Sequence, residues 1–179
     1  MAAVADPAVT STSTEFGSEF PKAAVEGPIL FDERLNGTWT LDKSVSDSME
    51  PFLLEVGVPW LVRKGILSFG ATLKLQINDT RTAVDLSMTT AMRTNENRVE
   101  AGKDKPWVRG DGTKMTADIV VKEGGVGFSM DMPADEKIGK PSMSSELVDD
   151  DTIHDMLKLV PKDPKRKPIV IKRTFRRQK

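Results

Sequence analysis

The chemistry open to this chain is bounded first by what it lacks: its 179 residues include no cysteine, no tyrosine and a single histidine, His154. Thiolate catalysis, disulfide frameworks, zinc ribbons and iron–sulfur ligation are therefore excluded. A Ser-His-Asp arrangement would have to use His154, and a site needing two imidazoles cannot exist. The candidates for acid–base work are Asp85, Asp118, Asp131, His154 and Arg173. One acid or base beside a shaped apolar pocket suffices to isomerise, cyclise or dehydrate a hydrophobic substrate. The enzymatic alternative is thus a cofactor-independent isomerase or cyclase with Asp85, His154 and Arg173 as its catalytic candidates. No metal is expected: Asp149, Asp150, Asp151 and Asp155 lack the spacing and turn glycine of an EF-hand and read as a solvated turn, with His154 at an exposed strand end. Gly124-Gly125-Val126-Gly127 is too short for a dinucleotide fingerprint and precedes a strand, so no cofactor is expected either.

The elements that must position these groups are mostly short alternating segments. Leu73, Leu75 and Ile77 alternate with polar residues, as do Val84, Leu86 and Met88. Met115, Ala117, Ile119 and Val121, then Val126, Phe128, Met130 and Met132, flank Gly124-Gly125 and predict a hairpin. Further strands are predicted at 36–44, 91–101, 142–148, 152–159 and 169–177, and so many sequential strands predict a meander closing into a barrel. Residues 47–66 break the rhythm with helical spacing interrupted at Gly57, which predicts two short helices. Ser46 or Asp47 is expected to cap the first, and Pro59 fits the first turn of the second. Val58, Val62 and Ile66 fall on one face of it.

Hydrophobic residues at 38%, charged residues at 30% and a net charge of −1 fit one globular domain and argue against a dedicated nucleic-acid binder. Residues 1–29, rich in Ala, Ser, Thr and Pro without apolar periodicity, are expected to form a flexible arm ahead of a domain at 30–179. The opening residues have neither a basic leader nor an apolar run, and a cytoplasmic location is expected. From Pro161 onward nine Lys or Arg face one Asp, and the proline-rich part at 161–168 reads as a solvated hairpin loop.

Four segments in this order resemble the intracellular lipid-binding proteins, the fatty-acid- and retinoid-binding branch of the calycins. Gly37-Thr-Trp-Thr-Leu-Asp-Lys-Ser44 is similar to the family's opening G-T-W-x-L-x-x-S, and Gly57-Val58 with Arg63-Lys64 to its G-V-x-x-x-x-R-K. Glu146-Leu-Val-Asp149 is similar to its E-L-x-D, and Lys172-Arg173-Thr-Phe175 to its terminal T-R-x-Y. The family's N-F-D is replaced by Ser46-Asp47-Ser48, the wording at 102–110 differs, and the segment 149–168 is long, as in a distant member.

The resemblance implies an all-β clam of about ten antiparallel strands, lidded by two helices after the first strand, that binds or transports a small hydrophobic ligand without a cofactor. In the fatty-acid-binding members two arginines and a tyrosine hold a carboxylate. The matching positions here are Ser145, Arg173 and Phe175, so a neutral lipid-like metabolite becomes as good a candidate as a fatty acid. For the enzymatic alternative the substrate would be polyketide- or terpenoid-like. Val58, Val62 and Ile66 are expected to face the cavity, Met88 and Met115 to line it among other strand methionines, and Trp39 to serve stability. Trp60, Arg63 and Lys64 are expected at the portal, where they could touch an anionic membrane, unless Trp60 packs against the rim.

Overall fold

The computed structural model describes residues 30–179, and the predicted arm at 1–29 lies outside the described residues. Strand β1 (Gly37–Leu41) is followed by helices α1 (Glu50–Glu55) and α2 (Trp60–Ser68). Nine further strands complete the chain: β2 (Ala71–Ile77), β3 (Ala83–Thr90), β4 (Thr94–Glu100), β5 (Gly102–Val108), β6 (Lys114–Val121), β7 (Gly127–Asp131), β8 (Lys140–Asp149), β9 (Thr152–Val160) and β10 (Ile169–Arg177). They form one antiparallel sheet in the order β4-β3-β2-β1-β10-β9-β8-β7-β6-β5, with β1 joining β10 to close the barrel everywhere except between β4 and β5.

Alternation decides which side chains enter. Leu73 and Leu75, Val84 and Leu86, Ala117, Ile119 and Val121, Phe128 and Met130 share one buried cluster with Trp39, Ile153 and Phe175. Their neighbours along each strand face outward. The end away from the helices is plugged by fully buried Phe31, whose N–H donates to the Arg81 carbonyl at 2.8 Å while Asp32 N–H donates to Gly125 O at 3.0 Å. Above it Trp39 donates its indole N–H to Leu35 O at 3.2 Å, and the Arg177 guanidinium lies 4.0 Å from the Trp39 ring centroid. Trp39 therefore has the stabilising place expected of it.

Three local expectations are corrected. Residues 102–108, to which sequence reading assigns no strand, form β5, held to β6 from Lys105 to Val108 despite Pro106, because β5 is a sheet edge where a missing N–H is tolerated. Ser46 and Asp47 do not cap α1, whose capping position is Met49. Ser46 Oγ instead accepts from Thr174 N–H at 2.9 Å and Asp47 accepts from Lys172 N–H at 2.8 Å, so both fasten the lid's approach to β10. Finally, β1 ends at Leu41 rather than at residue 44, because Asp42 turns the chain by accepting from the Ser44 hydroxyl at 2.6 Å.

Several aspartates are held below the ordinary carboxylate range: Asp32 by Arg34, Asp42 by the Ser44 hydroxyl, Asp111 and Asp135 by Arg109, and Asp149 by the Asp151 N–H. A depressed carboxylate contributes stability above its unfolded value of about 3.9 and loses it as pH falls through the folded value. Chemical denaturation at stepped pH should accordingly show stability falling below about pH 4. An unchanged midpoint down to pH 2 would contradict these pairings.

Candidate ligand-binding site

Three adjacent strands meet at one polar patch on the inner wall. Ser145 on β8 stands opposite Asp155 on β9, which stands opposite Arg173 on β10. Arg173 Nε donates to Asp155 Oδ2 at 2.7 Å and its Nη2 donates to the same oxygen. The pair is nearly removed from solvent, with side-chain exposures of 13% for Arg173 and 5% for Asp155. Arg173 also lies 5.6 Å from the Phe175 ring centroid, so its face is shielded by an aromatic wall.

From this patch toward the helices the inner wall changes character. Leu41, Met88, Met115 and Met143 pack on the core cluster yet are only half-buried, unlike the residues toward the plugged end. Apolar side chains that face inward and still meet solvent are the lining that a ligand space beneath the lid requires, and thioethers let such walls adapt. The lid over that space is thinly seated, since α2 has no fully buried residue. Its last carbonyls, of Leu67 and Ser68, accept from Lys43 Nζ at 2.9 and 3.0 Å. Arg166, in the loop between β9 and β10, donates to Glu55 at the end of α1 at 2.8 Å, so the basic 161–168 loop touches the lid instead of standing free.

The seam between β4 and β5 is bridged by a side chain. Asn97 Nδ2 donates to Val108 O at 3.0 Å while Asn97 Oδ1 accepts from Val108 N–H at 2.6 Å, reproducing one rung of a ladder. Asn95 Nδ2 adds a bond to Gly110 O at 3.3 Å. A cleft of about 580 Å³ opens along this seam, lined by Glu96, Arg98, Lys105, Trp107 and Met115 among others. Asn97→Ala removes both bonds, and the expected loss is about 1–3 kcal/mol. Amide exchange at Val108 should accelerate selectively, and unchanged protection there would show that the rung carries no weight.

No protein-family model and no curated relative matches the sequence. Solved structures do match. A Caenorhabditis elegans lipid binding protein superposes with a TM-score of 0.66 at 14% identity, covering 84% of this chain and 99% of that one. A Schistosoma mansoni fatty acid binding protein in complex with arachidonic acid gives 0.64 at 15% identity over 86% and 100%. A fatty acid transporter gives 0.64 at 21% identity over 81% and 96%. The fold is that of the intracellular lipid-binding proteins. At such identities the likeness is one of fold, and the site must be argued from this chain's own residues.

On that β-clam the sequence-predicted residues separate into two groups. Ser145, Arg173 and Phe175 come together at the polar patch, and half-buried Met88 and Met115 lie on β3 and β6 closer to the lid. Val58 leads into α2, and Val62 and Ile66 lie on it, all half-buried. The candidate acids behave otherwise. Asp85 is on the outer face, 3.1 Å from Arg98, and Asp118 accepts from Asp104 N–H. Asp131 and His154 are exposed on outer faces of β7 and β9. The enzymatic set of Asp85, His154 and Arg173 is therefore not assembled, because strand alternation sends the first two outward and the third inward. Among the described residues no group of three or more metal-ligating side chains converges. Two readings are corrected: Trp60 is 61% exposed rather than packed on the rim, and Asp155 is a buried inner residue rather than part of a solvated turn. Asp155 is the site residue that sequence reading missed, although Ile153, Asp155 and Leu157 alternate on one face.

Proposed function

We propose that this chain binds a small hydrophobic molecule inside the barrel and carries it through the cytoplasm without covalent chemistry. The observation that carries this reading is the half-buried inner wall of Leu41, Met88, Met115 and Met143 beneath a loosely seated lid. Burying an alkyl chain against such a wall contributes roughly 0.8 kcal/mol per methylene. The Schistosoma mansoni fold neighbour in complex with arachidonic acid lends it support. A polarity-sensitive apolar fluorophore titrated into the protein should saturate at one site and be displaced by a long-chain alcohol. Met115→Trp, which fills the space from its wall, should weaken the fluorophore at least about tenfold while circular dichroism stays unchanged. Unsaturable binding, or binding that ignores the substitution in a folded protein, refutes the carrier.

The lid is also proposed to touch membranes during transfer. Leu54, Trp60 and Leu61 are 58%, 61% and 74% exposed, with Lys64 exposed on the same helix as the last two. The basic loop reaches α1 through Arg166, so apolar and cationic groups lie together, a pairing suited to an anionic bilayer. Arg63 contributes less, because its Nη1 donates back to Val58 O at 2.7 Å. Transfer of a fluorescent lipid to vesicles should quicken with phosphatidylserine content, and Trp60→Ser with Leu61→Ser should slow it severalfold. Rates independent of vesicle composition and of these side chains rule the contact out.

A further inference from the structure

The polar patch is electrically complete before any ligand arrives, and this sets which head group it can accept. Arg173 directs two N–H donors at one oxygen of Asp155, so the cation of the patch is neutralised by an internal carboxylate. Ser145, its other neighbour across the ladder, is uncharged and buried. Among the described residues no hydrogen bond reaches Asp155 Oδ1 and none leaves Arg173 Nη1. One acceptor thus remains on the carboxylate, Asp155 Oδ1, while Arg173 Nη1 lies on the guanidinium edge turned away from Asp155.

Resting on the carrier reading above, we propose that this chain selects uncharged lipids whose head group donates a hydrogen bond, a long-chain alcohol or primary amide, and rejects free carboxylates. A hydroxyl or amide can give its proton to Asp155 Oδ1 and, being uncharged, leaves the Arg173–Asp155 pair intact. A carboxylate offers acceptors only. It would set a second anion beside Asp155 with one guanidinium to serve both, and like charges at close range in a poorly screened interior repel strongly. Separating Arg173 from Asp155 to bind the newcomer is no remedy, because it leaves Asp155 buried and unpaired. An ester or a hydrocarbon fails in the opposite sense, since it leaves the acceptor Asp155 Oδ1 without a donor.

The test compares palmityl alcohol, palmitamide, palmitate and methyl palmitate as displacers of the fluorophore at neutral pH. The alcohol and amide should displace it at concentrations at least about tenfold below the acid, with the ester in between. Asp155→Asn, which frees the guanidinium, should strengthen palmitate at least about tenfold while changing the alcohol much less. Should that variant not fold, the wild-type ranking stands as the test by itself. Palmitate binding as tightly as the alcohol in the wild type overturns the selectivity and leaves the carrier reading intact. Failure of the fluorophore and all four displacers to bind overturns both.

Discussion

Arg173→Ala is expected to destabilise the protein by about 3–5 kcal/mol, far more than the loss of an average strand residue. The cost does not lie in the guanidinium itself. Removing it leaves the Asp155 carboxylate, 5% exposed, without the two donors that compensate its desolvation. The companion variant separates this from lost packing. Replacing both residues with apolar ones of similar volume, Asp155→Leu with Arg173→Met, should recover most of the loss and could exceed the wild type by about 1–4 kcal/mol. Urea denaturation of the three proteins decides it. A single Arg173→Ala variant within about 0.5 kcal/mol of the wild type would mean that water compensates Asp155 in the folded state, and the pair would lose its structural role.

The second large effect lies at the plugged end of the barrel. Gly125 has φ +71°, and a Cβ there would lie 1.9 Å from Leu30 O and 2.8 Å from Asp32 N. Those atoms are backbone and cannot swing aside like a side chain. Gly125→Ala therefore incurs the left-handed penalty of about 1–2 kcal/mol and also pushes residues 30–32 off the barrel. Phe31, fully buried, would leave the core with them, and losing a buried phenylalanine costs about 3–5 kcal/mol on its own. The thermal midpoint should drop by roughly ten to twenty degrees, at about 2–4 degrees per kcal/mol for a domain of this size. Gly124→Ala is the control: its φ of +69° is equally left-handed, but its Cβ would meet only a Val126 methyl at 3.9 Å. Equal losses in the two variants would show that conformation alone matters and that the plug does not.

Much of this architecture is legible because strand alternation writes the inner face directly into the chain. Leu73, Leu75, Val84 and Leu86 are buried as alternation predicts, and the two helices fall where Gly57 divides them. What alternation could not mark was β5. Its residues Lys103, Asp104, Lys105 and Pro106 lie at a sheet edge with solvent on most sides, so no apolar period is imposed on them. The site was legible in part. Arg173, Phe175 and Ser145 are brought together by register, whereas Asp155 was hidden among Asp149, Asp150 and Asp151. Charge composition and strand period gave opposite answers there, and burial followed the period. Asp85 is the converse case, an acid that alternation placed opposite the apolar face without saying which face a polar-lined cavity would take, and it lies outside.

The asparagine rung across the seam has a consequence for how copies of this chain behave toward each other. Strands β4 and β5 are the two free borders of the sheet, and unpaired borders invite a strand from a neighbouring molecule, the first step toward fibrils. Here Asn97 occupies the N–H and C=O of Val108, while exposed Glu96, Arg98 and Glu100 on one border and Lys103 and Pro106 on the other oppose any incoming backbone. The barrel thus keeps a seam without a ladder while both of its borders are guarded against pairing with a second copy.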